Sequence, residues 1–269
     1  MKSIALDTVV GILLGFALFF YAIFSSTNNY QMFLDLSSFL MVVGGTFAAT
    51  MIAFRARYVL ISFKELFAIL IPQNINPHTL YKEIENIIDW ARIAKKNGIK
   101  ELERHIRSSE ITDEFIKYAG ELLLTGYRGD ELRTMLTNFT ETTFERNMIS
   151  SYILKTMAGF APAFGMMGTV IGLIIMLEKM GNDPSQLGSG LAFALITTLY
   201  GILLAQLILK PAAEKSKQKQ EILRFRNLLV TEGLVMLGEN KDSMTIQDMM
   251  NSFLSPEFHF SVIRKDIRE

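Results

Sequence analysis

Apolar residues in this chain gather into four blocks, with polar stretches between them. A bilayer core about 30 Å thick calls for roughly 20 apolar residues in a helix. Blocks of that size run from about Thr8 to Phe24, Leu36 to Phe54, Tyr152 to Leu177 and Gly188 to Leu209. A short polar turn, EKMGNDPSQ, joins the last two. The pattern predicts two transmembrane hairpins separated by the polar residues 55–151. The first block is not read as a signal peptide: no A-x-A-like cleavage site follows it, and the chain passes almost at once into the second block.

The polar stretches carry apolar residues at three- and four-residue steps, the mark of amphipathic helices. ELFAIL, LYKEIENIIDWARIAKKNGIKELERHI and DEFIKYAGELLLTGYRGDELRTMLTNFTETTFERN all follow it, with breaks at IPQNINP, SSEIT and TGYRGD. Beyond Pro211, AAEKSKQKQEILRFRNLLVTEGLVMLGE reads as a helix that continues the fourth span outward, and TIQDMMNSFLSP as a further short helix. No stretch alternates as a strand would. The expected fold is all-α: a four-span integral membrane protein with a helical cytoplasmic domain. Its expected parts are residues 1–54, 55–151, 152–209 and 210–269.

Charge placement orients the spans. Lys and Arg total 27, equal to Asp plus Glu, so net charge points to no nucleic-acid partner. Of these, 15 fall between Arg55 and Lys155 and 10 from Lys210 onward. The loop between the first two spans has none. By the positive-inside rule both termini and the long middle segment are cytoplasmic. There is no cysteine, and His78, His105 and His259 lie far apart, so thiol chemistry and Cys- or His-based metal sites are not expected. No phosphate-binding glycine loop, triad spacing or carboxylate pair is present, and the chain is not expected to be an enzyme.

The last two spans share a pattern. Ala161, Gly165, Gly168, Thr169 and Gly172 form one helical stripe, and Gly190, Ala194, Thr197, Thr198 and Gly201 repeat it at the same offsets, continued by Ala205. Such stripes let helices pack closely, and hydroxyls there commonly bond their own i−4 carbonyls. The alternative is that Thr169, Thr197 and Thr198 line a polar path for a hard cation or water. Ion transport through a bilayer ordinarily needs an ionisable group. Here Asp7, Asp35 and Glu178 all sit near span ends, so a carboxylate at mid-membrane would have to come from another polypeptide. Pro162 and Pro211 each remove an i−4 hydrogen bond, which makes either a simple kink or a hinge.

GFAPAFGMMGTVIGLIIMLEKM and DPSQLGSGLAFALITTLYGILLAQLILKPAAEKSK closely resemble the last two membrane helices of the MotA/PomA family of flagellar stator proteins. FLDLSSFLMVVGG, ARIAKKNGIKELE and SFLSP extend the resemblance over nearly the whole chain. It implies an inner-membrane subunit, five copies of which surround the single spans of two MotB/PomB-like partners. The partner aspartate would carry the ion, and the partner's periplasmic domain would grip peptidoglycan. Pro162 and Pro211 fall on family prolines associated with coupling, and Thr169 on the threonine facing the partner's aspartate. Lys95 and Glu103, with Lys96 adjacent, fall on the basic and acidic residues that contact the rotor protein FliG. The commoner ARKEG form is altered, because Lys95 replaces arginine and Asn97 an acid. Charge sign survives at Lys95 but bidentate guanidinium geometry does not.

TTLYG in the fourth span, and Asp35 in FLDLSS, resemble the sodium-driven members, so sodium is favoured over protons as the transported ion. No resident cofactor is expected, and no metal beyond transient sodium. The alternative family reading is an ExbB/TolQ-like energy transducer, which normally has three spans. A self-contained transporter is disfavoured by the missing mid-membrane carboxylate.

Overall fold

The computed structural model describes residues 6–68, 77–108, 113–180 and 187–259. The turn between the third and fourth spans, most of IPQNINP and most of SSEIT lie outside the described residues. Nine α-helical stretches occur among the described residues: α1 (Leu6–Ser26), α2 (residues 36–53), α3 (Ala56–Ala68), α4 (Pro77–Asn97), α5 (Ile99–Ser108), α6 (Glu114–Leu124), α7 (Gly129–Met180), α8 (Leu187–Gly238) and α9 (Ser243–Asn251), with short 3-10 turns at Tyr30–Phe33 and Pro256–Phe258. No strand occurs among the described residues, and four helical stretches are long and apolar enough to cross a membrane.

The chain divides into two compact units. One comprises Met1–Pro72 and Asn147–Gln218, and the other Gln73–Arg146 and Lys219–Glu269. Helices α7 and α8 contribute to both.

In the apolar unit, α2 starts at Asp35, whose carboxylate accepts from the Ser38 N–H at 2.6 Å and caps the helix. Its middle, Leu40–Gly44, is widened into π geometry. Helix α8 has a similar stretch at Leu204–Leu209, where the Lys210 N–H reaches back five residues to the Ala205 carbonyl. Pro211 follows directly. It has no N–H for the Leu207 carbonyl, and its ring would crowd that turn, so the widened stretch lies where the regular ladder must fail. Pro162, by contrast, sits inside an unbroken α7. A buried cluster of Ile153, Leu154, Met157, Ala205 and Leu209 packs α7 on α8, and the Ser151 hydroxyl donates to the Ala213 carbonyl at 2.7 Å.

The polar unit has a water-soluble kind of core. Ile84, Ile87, Ile88, Leu102, Leu132 and Leu234 are almost wholly buried. Burying each such side chain is worth about 1.5–3 kcal/mol. Arg226 of α8 is 5% exposed, and its guanidinium bonds Glu83 of α4 at 2.5 Å and Asp113 at 2.8 Å. Asp113 simultaneously caps α6 by accepting from the Ile116 N–H. Arg133 makes two 3.0 Å bonds to Glu232, which raise its pKa, while Arg224 bonds Glu141 and lies over the Phe144 ring. Asp242 caps α9, and the Thr245 hydroxyl and N–H hold its carboxyl below the usual range.

Two boundaries differ from the pattern expectation. The run LYKEIENIIDWARIAKKNGIKELERHI is not one helix: it breaks at Gly98, whose φ of +84° only glycine adopts cheaply, to make α4 and α5. Conversely, TMLTNFTETTFERN and the third span are a single helix of 52 residues.

Candidate functional site

The small-residue stripes of α7 and α8 face each other. A Cβ on Gly172 would lie 2.6 Å from the Gly190 carbonyl oxygen, and one on Gly190 would lie 2.8 Å from the Gly172 carbonyl oxygen. A Cβ on Gly201 would come within 2.7 Å of the Ala161 carbonyl oxygen and 3.2 Å of Pro162 Cα. On Gly165 it would meet the Thr197 carbonyl oxygen at 3.0 Å, and on Gly168 it would overlap the Thr197 side chain. The two backbones therefore touch along Gly165, Gly172, Gly190, Ala194 and Gly201. In lipid, where apolar burial drives little, such contact is a principal source of helix association.

That closeness brings four oxygens together. Thr169 Oγ1 and Thr198 Oγ1 are 2.5 Å apart. Each also lies near two carbonyls, one on its own helix and one across the seam. Thr169 is 3.2 Å from Gly165 O and 3.3 Å from Ala194 O; Thr198 is 3.3 Å from Ala194 O and 3.4 Å from Gly165 O. Two hydroxyls have only two protons to donate, so at most two of these five contacts are hydrogen bonds at one time. Lone pairs outnumber protons. A half-buried cluster of that kind suits a water molecule or a small hard cation.

Thr197 joins the cluster through Ala194, whose carbonyl its buried hydroxyl approaches at 3.0 Å, with Phe193 O at the same distance. No Asp, Glu, Lys or Arg occurs in residues 156–177 or 188–209, so the oxygens carry no formal charge. Among the described residues no group of His, Cys, Asp or Glu could hold a metal ion. Glu178 lies near the end of α7, exposed, and Asp35 is committed to its cap.

The remaining candidates lie elsewhere. Lys95 and Lys96 occupy the exposed last turn of α4, and Glu103 the second turn of α5, on either side of the Gly98 corner. Pro162 borders the seam opposite Gly201, and exposed Pro211 follows the widened stretch of α8.

Two features escaped the sequence pattern. Tyr200 donates its hydroxyl to the Phe33 carbonyl at 2.5 Å and accepts from the Asp35 N–H at 3.3 Å, which ties the segment before α2 to the helix that carries Thr197 and Thr198. Phe164 packs over Gly45, where a Cβ would collide with its ring. A tyrosine within an apolar span was the available signal for the first; nothing in the local sequence announces the second.

Comparison with known proteins gives consistent results. Residues 107–226 match the MotA/TolQ/ExbB proton channel family. YtxD of Bacillus subtilis is 33% identical over 259 residues, covering 96% of this chain and 93% of that protein. Motility protein A of Aquifex aeolicus is 32% identical over 238 residues, covering 87% of this chain and 91% of its own length. The C. jejuni MotAB structure superimposes with a TM-score of 0.83 at 26% identity, over 94% of this chain and 97% of the matched one.

Proposed function

The chain belongs to the motility protein A family, as a multi-pass inner-membrane subunit of the flagellar stator, and from that premise we propose that it lines the ion path of a sodium-driven motor. The observation that carries this reading is the uncharged knot of Thr169, Thr198 and the Gly165 and Ala194 carbonyls. It supplies oxygens but no counter-charge. A MotB/PomB-like single-span partner supplies the aspartate that takes up and releases the ion, and the knot strips part of its water. Sodium is preferred to the proton because it needs several oxygen ligands at once, and Thr198 adds one that alanine would not. The ion is transported and is not a resident cofactor.

The rest of the machine follows the family reading. Five copies enclose two partners, both termini face the cytoplasm as the Lys and Arg distribution implies, and Pro162 and Pro211 flex as ions pass. The corner with Lys95, Lys96 and Glu103 on its two flanks presents opposite charges to FliG. Motor speed in sodium-free buffer at fixed pH tests the ion: rotation should stop, and undiminished rotation would defeat the sodium reading. An ExbB/TolQ-like role would instead require a neighbouring gene of the ExbD or TolR kind. A neighbour with one aspartate-bearing span and a peptidoglycan-binding domain supports the stator.

A further inference from the structure

Between α1, α2 and α8 the apolar unit forms a half-open groove of 380 Å³. Helix α1 meets α8 at one end, where the Lys215 ammonium bonds the Thr8 hydroxyl and Leu207 lies 3.3 Å from where a Cβ on Gly15 would stand. From Phe16 onward the helices part. Phe16 and Phe20 line one wall, Val43 another, and Tyr200, Leu203 and Leu204 the third. The α1 side runs from Phe16 to Phe24, about 12 Å at 1.5 Å per residue, so the space is an elongated slot. Its far end is lined by Tyr30, Phe33 and Leu34 of the segment that Tyr200 ties down.

We propose that this slot is a lipid site, holding one acyl chain of a bilayer phospholipid. Water is a poor occupant because it needs two to four polar partners. The only side-chain hydroxyls on the walls belong to Tyr30 and Tyr200, and that of Tyr200 already bonds Phe33 and Asp35. An empty slot of this volume would forfeit the dispersion contacts of its walls. Within the single chain α1 buries little, and Leu13 and Leu18 are 63% and 62% exposed, so its outer face has the apolar character that a hydrocarbon surrounding requires. A chain intercalated from that medium fills the slot without unsatisfied polar groups. Its occupancy also wedges α1 against the helix bearing Thr197 and Thr198. The inference depends on the chain spanning a membrane and is independent of which ion it carries.

The test uses the intact complex in vesicles of phosphatidylethanolamine and phosphatidylglycerol doped with a phospholipid bearing a diazirine on its acyl chain. After photolysis, adducts are mapped by mass spectrometry. Val43 and Leu204 should be labelled in the wild type even when the complex is purified in mild detergent and mixed with excess unlabelled lipid before photolysis, whereas Leu13, where lipid exchanges, should be labelled only when photolysis is done in the vesicles. In Val43→Phe combined with Leu204→Phe, which fills the slot, labelling at Phe16 and Phe20 should fall to background while Leu13 labelling persists. Unlabelled Val43 and Leu204 in the wild type would overturn the proposal without recourse to any variant. So would cross-links from the slot to a second copy or to the partner subunit in place of lipid.

Discussion

Helices α7 and α8 are joined in two chemically different ways along their length. In the apolar unit the join consists of glycines, alanines and threonines in backbone contact, with no charge in residues 156–177 or 188–209. In the polar unit the same two helices are linked by Arg133 with Glu232 and by Arg224 with Glu141, beside a core of leucine and isoleucine. The difference follows from the surroundings. Water drives large side chains inward and screens exposed ion pairs, whereas lipid offers no such drive and rewards shape. The seam is therefore intolerant of added atoms, and the polar unit is intolerant of lost partners.

The largest effect should come from the seam. Gly172→Ala places a methyl against backbone on both sides of Gly190 and Ala194, and no side chain can turn away. Swimming should be abolished, with little complex recovered from membranes. Gly168→Ala should be milder to repair, because its obstacle is the Thr197 side chain: adding Thr197→Gly should restore assembly, and failure to do so would mean that the seam is not set by side-chain volume there.

Next is the buried cation. Arg226→Met strands Glu83 and takes from Asp113 the partner of the oxygen that does not cap α6, so it should cost about 3 kcal/mol, seen as a lowered melting midpoint of the purified complex. A midpoint like the wild type's would show that the polar unit does not depend on that network. The exposed pair is worth less. Glu232→Gln, with the Arg133 side chain 39% and Glu232 19% exposed in the wild type and Asp130 still within reach of Arg133, should cost about 0.5–1 kcal/mol. At the Gly98 corner, Lys95→Glu or Glu103→Lys should impair swimming while leaving stability and membrane assembly unchanged, and normal swimming in both would remove the corner from the rotor contact.

The two regions also differed in how legible they were. Spans and stripes are local: hydropathy finds the first, and i+4 spacing finds the second, so the seam could be drawn before the fold was seen. The closeness of Thr169 Oγ1 to Thr198 Oγ1 was not readable, because it depends on how far Gly165 and Gly168 let the backbones approach. Long-range pairs were hidden altogether. Arg226 is 143 residues from Glu83, and Tyr200 is 167 from Phe33. The break at Gly98 was missed because apolar steps continue on both sides of it, and a single glycine inside a helical pattern is ordinarily tolerated. The slot beside α1 is invisible to any sequence pattern, since it is defined by where helices part.

Motor speed measured against sodium concentration at constant pH, for wild type and Thr198→Ala, tests the central claim most directly. The account predicts that the wild type stops as sodium is withdrawn, and that the variant assembles normally yet needs more sodium to reach half of its maximal speed. A wild type indifferent to sodium, or a variant whose curve overlies the wild type's, would contradict it.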